Sequence, residues 1–189
     1  MKAISVLGTA SDVGKSIVTT AICRILANDG KKVTPFKSQN MSNNSAVTPS
    51  GGEISRAQFT QAEAAKTVPV VGMNPILMKP QSMTNAQIVL NGIAIGNKEA
   101  SEYFSDTSLL EMESYKSLNS LKENFEYIVH EGAGSCADIN LKNRDFANFK
   151  ISSYLNSSVL LVADIDKGGV FAQVIGTLNL LTEVERDCL

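Results

Sequence analysis

A short apolar run, a glycine-rich turn and a lysine-serine pair constrain this chain more than any other feature. The run Ala3–Leu7 predicts a buried strand, the segment GTASDVGKS (residues 8–16) predicts a phosphate-binding turn, and Ile17–Ala27 predicts an amphipathic helix that ends at Gly30. Backbone N–H groups at the start of such a helix face a phosphate, and the helix dipole favours its negative charge. The chain is therefore expected to bind a phosphorylated ligand.

The spacing of this turn departs from the usual Walker A sequence, because five residues rather than four separate Gly8 from Gly14. The part of the turn that binds the phosphate, Gly14-Lys15-Ser16, is intact. Lys15 is expected to reach the outer phosphates, and the Ser16 hydroxyl is expected to ligate Mg²⁺. The predicted nucleotide-binding residues are Gly8, Thr9, Asp12, Val13, Gly14, Lys15, Ser16 and Ile17.

Length and composition exclude several classes of protein. The 189 residues suit one domain, and 17 basic against 19 acidic residues give neither a nucleic-acid footprint nor a polyanionic tail. No apolar stretch approaches the length of a membrane span, and no signal peptide is evident. The cysteines Cys23, Cys136 and Cys188 lack CxxC spacing, which argues against a disulfide framework and a zinc site. A cytoplasmic protein without nucleic-acid or membrane partners is predicted.

Strand and helix patterns alternate along the rest of the chain. The predicted elements are strands at 32–37, 126–131 and 158–164, a hairpin at 86–95, a long polar loop at 38–52, and helices at 54–65, 107–124 and 170–184. This alternation predicts an α/β fold with a mostly parallel sheet and helices on both faces. The chain stops inside a helical pattern, so a fragment of a longer polypeptide is expected.

Charged residues follow several predicted strands at the carboxyl end, where ligands bind in open α/β sheets. They are Lys37, Glu131, Asp164 and Asp166. Lys37 could bridge a γ-phosphate and a substrate carboxylate, and Glu131 could bind Mg²⁺ directly or through water. The neighbouring His130 is expected to be packed, because adjacent residues of a strand point to opposite faces. The catalytic candidates are Lys15, Lys37 and Glu131.

Ordered motifs along nearly the whole chain resemble those of cobyric acid synthases, the glutamine-dependent amidases of cobalamin biosynthesis, in their N-terminal ATP-binding half. The motifs are GTASDVGKS, PFKSQNMSNNS, GGEISRAQFTQAEAA, MNPILMKP, HEGAGSCADINL and DIDKGGVFAQVIGTLNLL. The resemblance implies the P-loop fold of dethiobiotin synthetase, whose loop has the same extra residue. By that similarity Ser16, Glu53 and Glu131 hold Mg²⁺, and Lys15 and Lys37 contact the phosphates of ATP.

The same resemblance implies an activity. Cobyric acid synthase uses ATP to phosphorylate carboxylates of adenosylcobyrinic acid a,c-diamide, and ammonia then displaces the phosphate to leave an amide. The implied substrate-binding residues are Gln39, Asn40, Asn44, Asp164 and Asp166. Ammonia in this family comes from a C-terminal glutamine amidotransferase domain, whose nucleophile elbow this sequence lacks. Residues 1–189 are thus expected to be a synthetase (amidoligase) domain truncated at its C-terminus, with a homodimer as one possible assembly.

Other functions fit part of the pattern. Dethiobiotin synthetase and cobyrinic acid a,c-diamide synthase share the chemistry, and the SQNMSNNS and DIDKGGVFA segments separate the chain better from the first than from the second. A ParA- or MinD-like switch, in which ATP promotes dimerisation, is an alternative of another class. Those proteins carry a second lysine early in the loop, where this chain has Ala10 or Ser11. The missing lysine counts against a switch.

Overall fold

The computed structural model describes residues 1–99, 103 and 107–189. The strands in chain order are β1 (Lys2–Gly8), β2 (Val33–Phe36), β3 (Gln39–Met41), β4 (Ser45–Val47), β5 (Glu53–Ser55), β6 (Ile76–Pro80), β7 (Asn85–Leu90), β8 (Ile93–Glu99), β9 (Tyr127–Glu131) and β10 (Ser158–Val162). The helices are α1 (Lys15–Asn28), α2 (Arg56–Ala64), α3 (Ser108–Asn124), α4 (Phe149–Leu155), α5 (Val170–Leu180) and α6 (Glu183–Arg186), with 3-10 turns at Val71–Met73 and Ile139–Arg144.

The central sheet has four parallel strands in the order β10-β1-β9-β2. The helices α3 and α4 cover one face, where Leu118 and Ile151 pack with Phe36 and Ile128. The helix α1 covers the other face, where Cys23 packs with Val6 and Val129. Apolar burial on both faces is what holds a parallel sheet together. The predicted α/β fold is confirmed, and the carboxyl ends of all four strands share one edge.

A second sheet lies beside the first, and the sequence pattern did not predict it. Its strands have the order β3-β6-β7-β8, with β3 parallel to β6 and the other pairs antiparallel. The buried residues Ile76, Ile88 and Phe146 belong to its core. The hairpin predicted at 86–95 is confirmed as β7 and β8, with positive φ angles at Asn91 and Gly92 in the turn.

The long loop predicted at 38–52 is wrong in part, because it contains β3 and β4. Polar residues fill these strands: β3 pairs with β6 through its backbone, and β4 pairs with β5. Strands that short and that polar leave no apolar periodicity to detect.

Two predicted helix boundaries also differ from the structure. The helix predicted at 54–65 begins at Arg56, because the Ser55 side chain accepts a hydrogen bond from the Ala57 N–H and caps it. The helix predicted at 170–184 ends at Leu180, and Thr182 opens α6 with a capping box to Glu185. Within the described ranges, no helix is both long and apolar enough to cross a membrane.

The histidine of β9 is completely buried and forms hydrogen bonds through both ring nitrogens. His130 Nε2 lies 3.0 Å from the Ala147 carbonyl oxygen, and Nδ1 lies 3.0 Å from the Ser5 hydroxyl. A carbonyl oxygen can only accept, so Nε2 carries the proton and Nδ1 accepts from Ser5. The imidazole therefore joins β1, β9 and the segment before α4 as a neutral group.

Acidification from about pH 7 to about pH 5 is expected to lower the free energy of unfolding by about 2 kcal/mol through His130. Burial lowers the pKa of His130 from 6.5 to about 4. Between these values the unfolded chain binds more protons than the folded one, so the stabilisation is complete above the unfolded pKa and is lost as the pH falls toward the folded pKa. Urea unfolding at both pH values measures the effect. His130→Gln should lose this pH dependence, and an unchanged dependence in that variant would contradict the prediction.

Candidate active site

The glycine-rich turn between β1 and α1 wraps around the side chain of Lys15. Gly14 caps α1 with a φ of 98°, a conformation that favours glycine. A Cβ atom at Gly8 would lie 2.8 Å from Lys15 Nζ, so this glycine leaves room for the lysine. Lys15 Nζ donates to the carbonyl oxygens of Ala10 and Gly134, each at 2.7 Å. Burial and the nearby Lys37 ammonium lower the pKa of Lys15.

The EGAG turn after β9 forms the opposite wall. A Cβ atom at Gly132 would lie 2.2 Å from Asn148 Oδ1, so the turn approaches α4 too closely for a side chain. Asn148 Nδ2 donates to the Ala133 carbonyl oxygen at 2.8 Å and to Asp145 at 3.0 Å. These contacts fix the turn, and with it the Gly134 carbonyl that accepts from Lys15.

Glu131, at the end of β9, is the centre of the site. Its Oε1 accepts from Ser16 Oγ and from Lys37 Nζ, both at 2.7 Å. Its Oε2 accepts from Gln61 Nε2 at 2.5 Å and from Gln58 Nε2 at 3.2 Å. Only 1% of the Glu131 side chain is exposed. The structure thus brings together three residues predicted from separate parts of the sequence and adds two glutamines of α2.

The hydrogen bonds around Glu131 decide its charge. Burial by itself would raise the pKa of this carboxyl, but Lys37, Ser16 and Gln61 outweigh burial and hold the pKa below its ordinary value. Glu131 is therefore an anion near neutral pH. A buried carboxylate anion is suited to bind a cation through its oxygens.

The sequence pattern did not predict the two glutamines of α2 as site residues. Gln58 and Gln61 are completely buried, one helical turn apart on the same face. Asn40 Nδ2 donates to Gln58 Oε1 at 3.0 Å. Since Gln58 also contacts Glu131, this hydrogen bond links β3 to the Glu131 carboxylate. The available signal was a helix whose inward positions carry amides instead of apolar side chains, since a buried amide requires a polar partner.

If Glu131 holds Mg²⁺ as the sequence predicts, replacing Gln61 with leucine is expected to weaken Mg²⁺-dependent nucleotide binding about 10- to 100-fold. This is the usual effect of removing a hydrogen bond that orients a metal ligand. Glu131 Oε2 would keep only Gln58 and turn more freely. The measurement is the affinity for a fluorescent ATP analogue over a Mg²⁺ titration. Its affinity in EDTA should stay unchanged, and Gln81→Leu, at an exposed position, is the control. Equal losses with Mg²⁺ and with EDTA would contradict a role through the carboxylate.

A cavity of about 640 Å³ lies between the glycine-rich turn, the EGAG turn and β3. The predicted residues that line it are Asp12, Gly14, Lys15, Ser16, Ile17, Lys37, Gln39, Asn40 and Glu131. Gly8, Thr9 and Val13 are buried. Asn44 lines a neighbouring cleft instead.

Three further predicted residues, Glu53, Asp164 and Asp166, line neither this cavity nor that cleft. Glu53 forms an ion pair with Lys79 at 2.6 Å and accepts from Ser45, and these contacts lower its pKa. Asp164 and Asp166 follow β10, which lies on the far side of β1 from β9 and β2. The Asp166 N–H donates to Asp164 Oδ1 at 2.9 Å, so this pair closes its own turn.

The cysteines beside the site are not activated. Burial, with a smaller contribution from the Glu131 charge, raises the pKa of Cys23 to about 12. Burial also raises the pKa of Cys136 to about 11. Both thiols are protonated near neutral pH, and a thiol is a weak nucleophile compared with a thiolate. In the part of the chain that the structure describes, no cluster of His, Cys, Asp and Glu has the make-up of a metal site.

The chain is similar in sequence to curated cobyric acid synthases. The chain is 53% identical to a cobyric acid synthase of Chlorobium phaeobacteroides (strain BS1), over 98% of this chain and 38% of the relative. It is 54% identical to a cobyric acid synthase of Chlorobaculum tepidum, over 98% of this chain and 37% of the relative. The chain thus spans well under half the length of the curated relatives it matches.

A solved structure and a family model complete the comparison. The signal recognition particle receptor FtsY from Elizabethkingia anophelis is 16% identical, with a TM-score of 0.52 over 96% of this chain and 47% of that protein, and it shares the fold alone. The family model described as "CobQ/CobB/MinD/ParA nucleotide binding domain" matches residues 4–186. The chain belongs to this family of nucleotide-binding domains.

Proposed function

We propose that this domain uses MgATP to convert carboxylates of adenosylcobyrinic acid a,c-diamide into acyl phosphates, which ammonia turns into the amides of cobyric acid. The observation that carries the proposal is the meeting of Lys37, Ser16 and Glu131 within 2.7 Å beside the phosphate-binding turn. The names of the relatives support the corrinoid substrate.

The glycine-rich turn and Lys15 are proposed to bind the phosphates of ATP. The first N–H groups of α1 lack partners within the helix and carry partial positive charge, so they favour an anion. Lys15 Nζ already lies in the cavity and donates hydrogen bonds to carbonyl oxygens of the two turns that form the cavity walls. Exchanging those neutral acceptors for charged phosphate oxygens strengthens its hydrogen bonds.

The residues around Glu131 fit a magnesium ion. Ser16 Oγ and Glu131 Oε1 lie 2.7 Å apart and provide the hard oxygen ligands that Mg²⁺ prefers. Lys37 Nζ contacts the same carboxylate oxygen, which shows that this position already attracts positive charge. Ser16 and Glu131 would hold Mg²⁺, which neutralises charge on the phosphate oxygens when bound. Glu53 stays a weaker candidate, because it does not line the cavity that Ser16 and Glu131 line.

Lys37 is proposed to act on the group in transfer. It lines the cavity together with Glu131, Gln39 and Asn40, where a substrate carboxylate would also bind. The carboxylate oxygen bonds to the γ-phosphorus as the bond to ADP breaks, and the lysine ammonium stabilises charge on the phosphoryl oxygens. Ammonia then bonds to the acyl carbon, phosphate leaves with the electron pair, and the surplus proton passes to solvent.

The remaining parts of the proposal concern partners. Ammonia would come from a glutamine amidotransferase domain, and the greater length of the relatives is consistent with a further domain. We also propose a cytoplasmic location, and a homodimer as one possible assembly.

The experiment combines mass spectrometry with isotope transfer. The corrinoid diamide, with heavy oxygen in its carboxylates, is incubated with MgATP, an ammonium salt and either this chain or a chimera. In the chimera, residues 1–189 replace the matching segment of the Chlorobaculum tepidum relative, which is 54% identical. We expect stepwise amidation, with one labelled oxygen in inorganic phosphate for each amide, and amidation slowed about 10²- to 10³-fold in Lys15→Ala.

Other outcomes would overturn the proposal. ATP hydrolysis by the chimera without amide formation would exclude this substrate. Amides without label in phosphate would exclude the acyl phosphate. ATP hydrolysis that the corrinoid does not change, together with ATP-dependent dimerisation, would favour a nucleotide switch.

A further inference from the structure

A second cleft adjoins the cavity beside the phosphate-binding turn. It has a volume of about 890 Å³ and lies between α1, the segment that follows β3, and the first turns of α2. Ser16, Ile17, Asn40 and Met41 line both spaces, so the cleft opens directly beside the Ser16 hydroxyl. Both volumes are in the usual range for small-molecule sites.

Part of the surface of this cleft is apolar. Ile17 is 77% exposed and Met41 is 58% exposed. Ala21, on the same face of α1 as Ile17, and Ala57, at the start of α2, also line the cleft. Exposed side chains of this size next to small alanines form a flat apolar surface. A ligand that covers this surface removes it from water, which favours binding.

Two arginines and one carboxylate line the part of the cleft that the cavity does not share. Arg24 donates one hydrogen bond to the Glu63 carbonyl oxygen at 3.3 Å, and the Arg56 guanidinium lies 5.4 Å from the centre of the Phe59 ring. Among the residues that the structure describes, neither guanidinium forms an ion pair with a carboxylate. A guanidinium has five N–H donors, so most donors of both arginines face solvent. Glu63 is the one carboxylate among the lining residues, so the two arginines give the cleft a net positive charge.

We propose that this cleft binds the corrinoid, with one face of the ring against Ile17, Ala21 and Met41 and with peripheral carboxylates on Arg24 and Arg56. This inference rests on the proposed function. A corrin carries an apolar macrocycle and a periphery of carboxylates and amides, which matches an apolar floor with cations at its rim. Arginine binds carboxylates through two parallel hydrogen bonds.

The position of the cleft explains how several carboxylates could reach one phosphate. The arm that reacts would pass Ser16 and enter the cavity beside Lys37. The other carboxylates would stay bound to the arginines outside the cavity. Asn44, whose backbone carbonyl accepts from the Arg56 backbone N–H, would contact the amides already formed. A flat apolar floor permits the ring to turn between successive amidations, because apolar contacts have no direction.

The test compares KM values for the corrinoid and for ATP in the chain and the chimera described above. Arg24→Gln and Arg56→Gln are each expected to raise KM for the corrinoid about tenfold and to leave KM for ATP unchanged, since a charged hydrogen bond contributes about 1.5–3 kcal/mol. Ala21→Trp, at an exposed position, fills the cleft and should raise the same constant. Lys31→Gln, an exposed lysine beyond the other end of α1, removes the same charge as a control.

The outcomes separate this inference from the proposed function. Corrinoid amidation with unchanged KM values in all three cleft variants would overturn the cleft assignment and leave the function standing. A rise in KM for Lys31→Gln equal to that of the arginine variants would also overturn it, because the effect would then be one of net charge. Absence of amidation by the wild-type chain and the chimera would overturn the function, and the cleft assignment with it.

Discussion

Replacing Lys37 with methionine is expected to lower the free energy of unfolding by about 3–5 kcal/mol near neutral pH, the usual cost of a buried charge that loses its partner. Lys37 Nζ and Glu131 Oε1 lie 2.7 Å apart, and their side chains are 8% and 1% exposed. Methionine fills similar space but leaves the carboxylate with only neutral donors. Urea unfolding gives the free energy, and activity should be lost with the ammonium.

The pH dependence of that variant provides an independent check. In the wild-type protein the lowered pKa of Glu131 contributes stability that is present above its unfolded pKa and is lost as the pH falls through the folded pKa. In Lys37→Met the charged form has lost its main stabilising partner, so burial should raise the folded pKa above the unfolded one. Stability would then be lost as the pH rises. The double variant with Glu131→Gln should regain most of the loss, and a double variant no more stable than the single one would contradict this account.

Replacing Lys15 with alanine is expected to lower kcat/KM for ATP about 10²- to 10³-fold, the effect of removing one donor aimed at developing charge. The fold should change little, because the carbonyl oxygens of Ala10 and Gly134 lie beside a cavity that water can fill. We expect the free energy of unfolding to fall by only about 1 kcal/mol. Single-turnover hydrolysis and urea unfolding, with Lys31→Ala as the matched control, separate the two effects. Near-normal turnover would exclude Lys15 from the phosphate site.

Local signals account for the parts of the structure that the sequence predicted well. The strand, turn and helix around Lys15 are contiguous, and the spacing of Gly14, Lys15 and Ser16 is a local pattern. Lys37 and Glu131 could be placed at one edge because the strands before them are parallel, and parallel strands end together. That argument needs no knowledge of strand order.

Strand order and long-range pairing account for most of what the sequence did not predict. Asp164 and Glu131 both follow buried strands, but β1 lies between those strands, and periodicity carries no information about neighbours. Glu53 was predicted as a Mg²⁺ ligand from a family resemblance in a loop, and the sequence pattern did not indicate its ion pair with Lys79 of β6. The second sheet was missed because β3 finds its partner in β6, far along the chain.

The arrangement of the second sheet has a consequence for how such proteins diversify. Residues 39–99 form one uninterrupted insert between β2 and α3. A single recombination event could therefore exchange the whole second sheet, including β3, the strand after Lys37. Gln58 and Gln61 lie inside that insert, yet both hold Glu131 of the central sheet. An insert from another protein would therefore be accepted only if it brought amides at the same two positions. The Glu131 carboxylate thus limits which inserts this nucleotide-binding core can adopt.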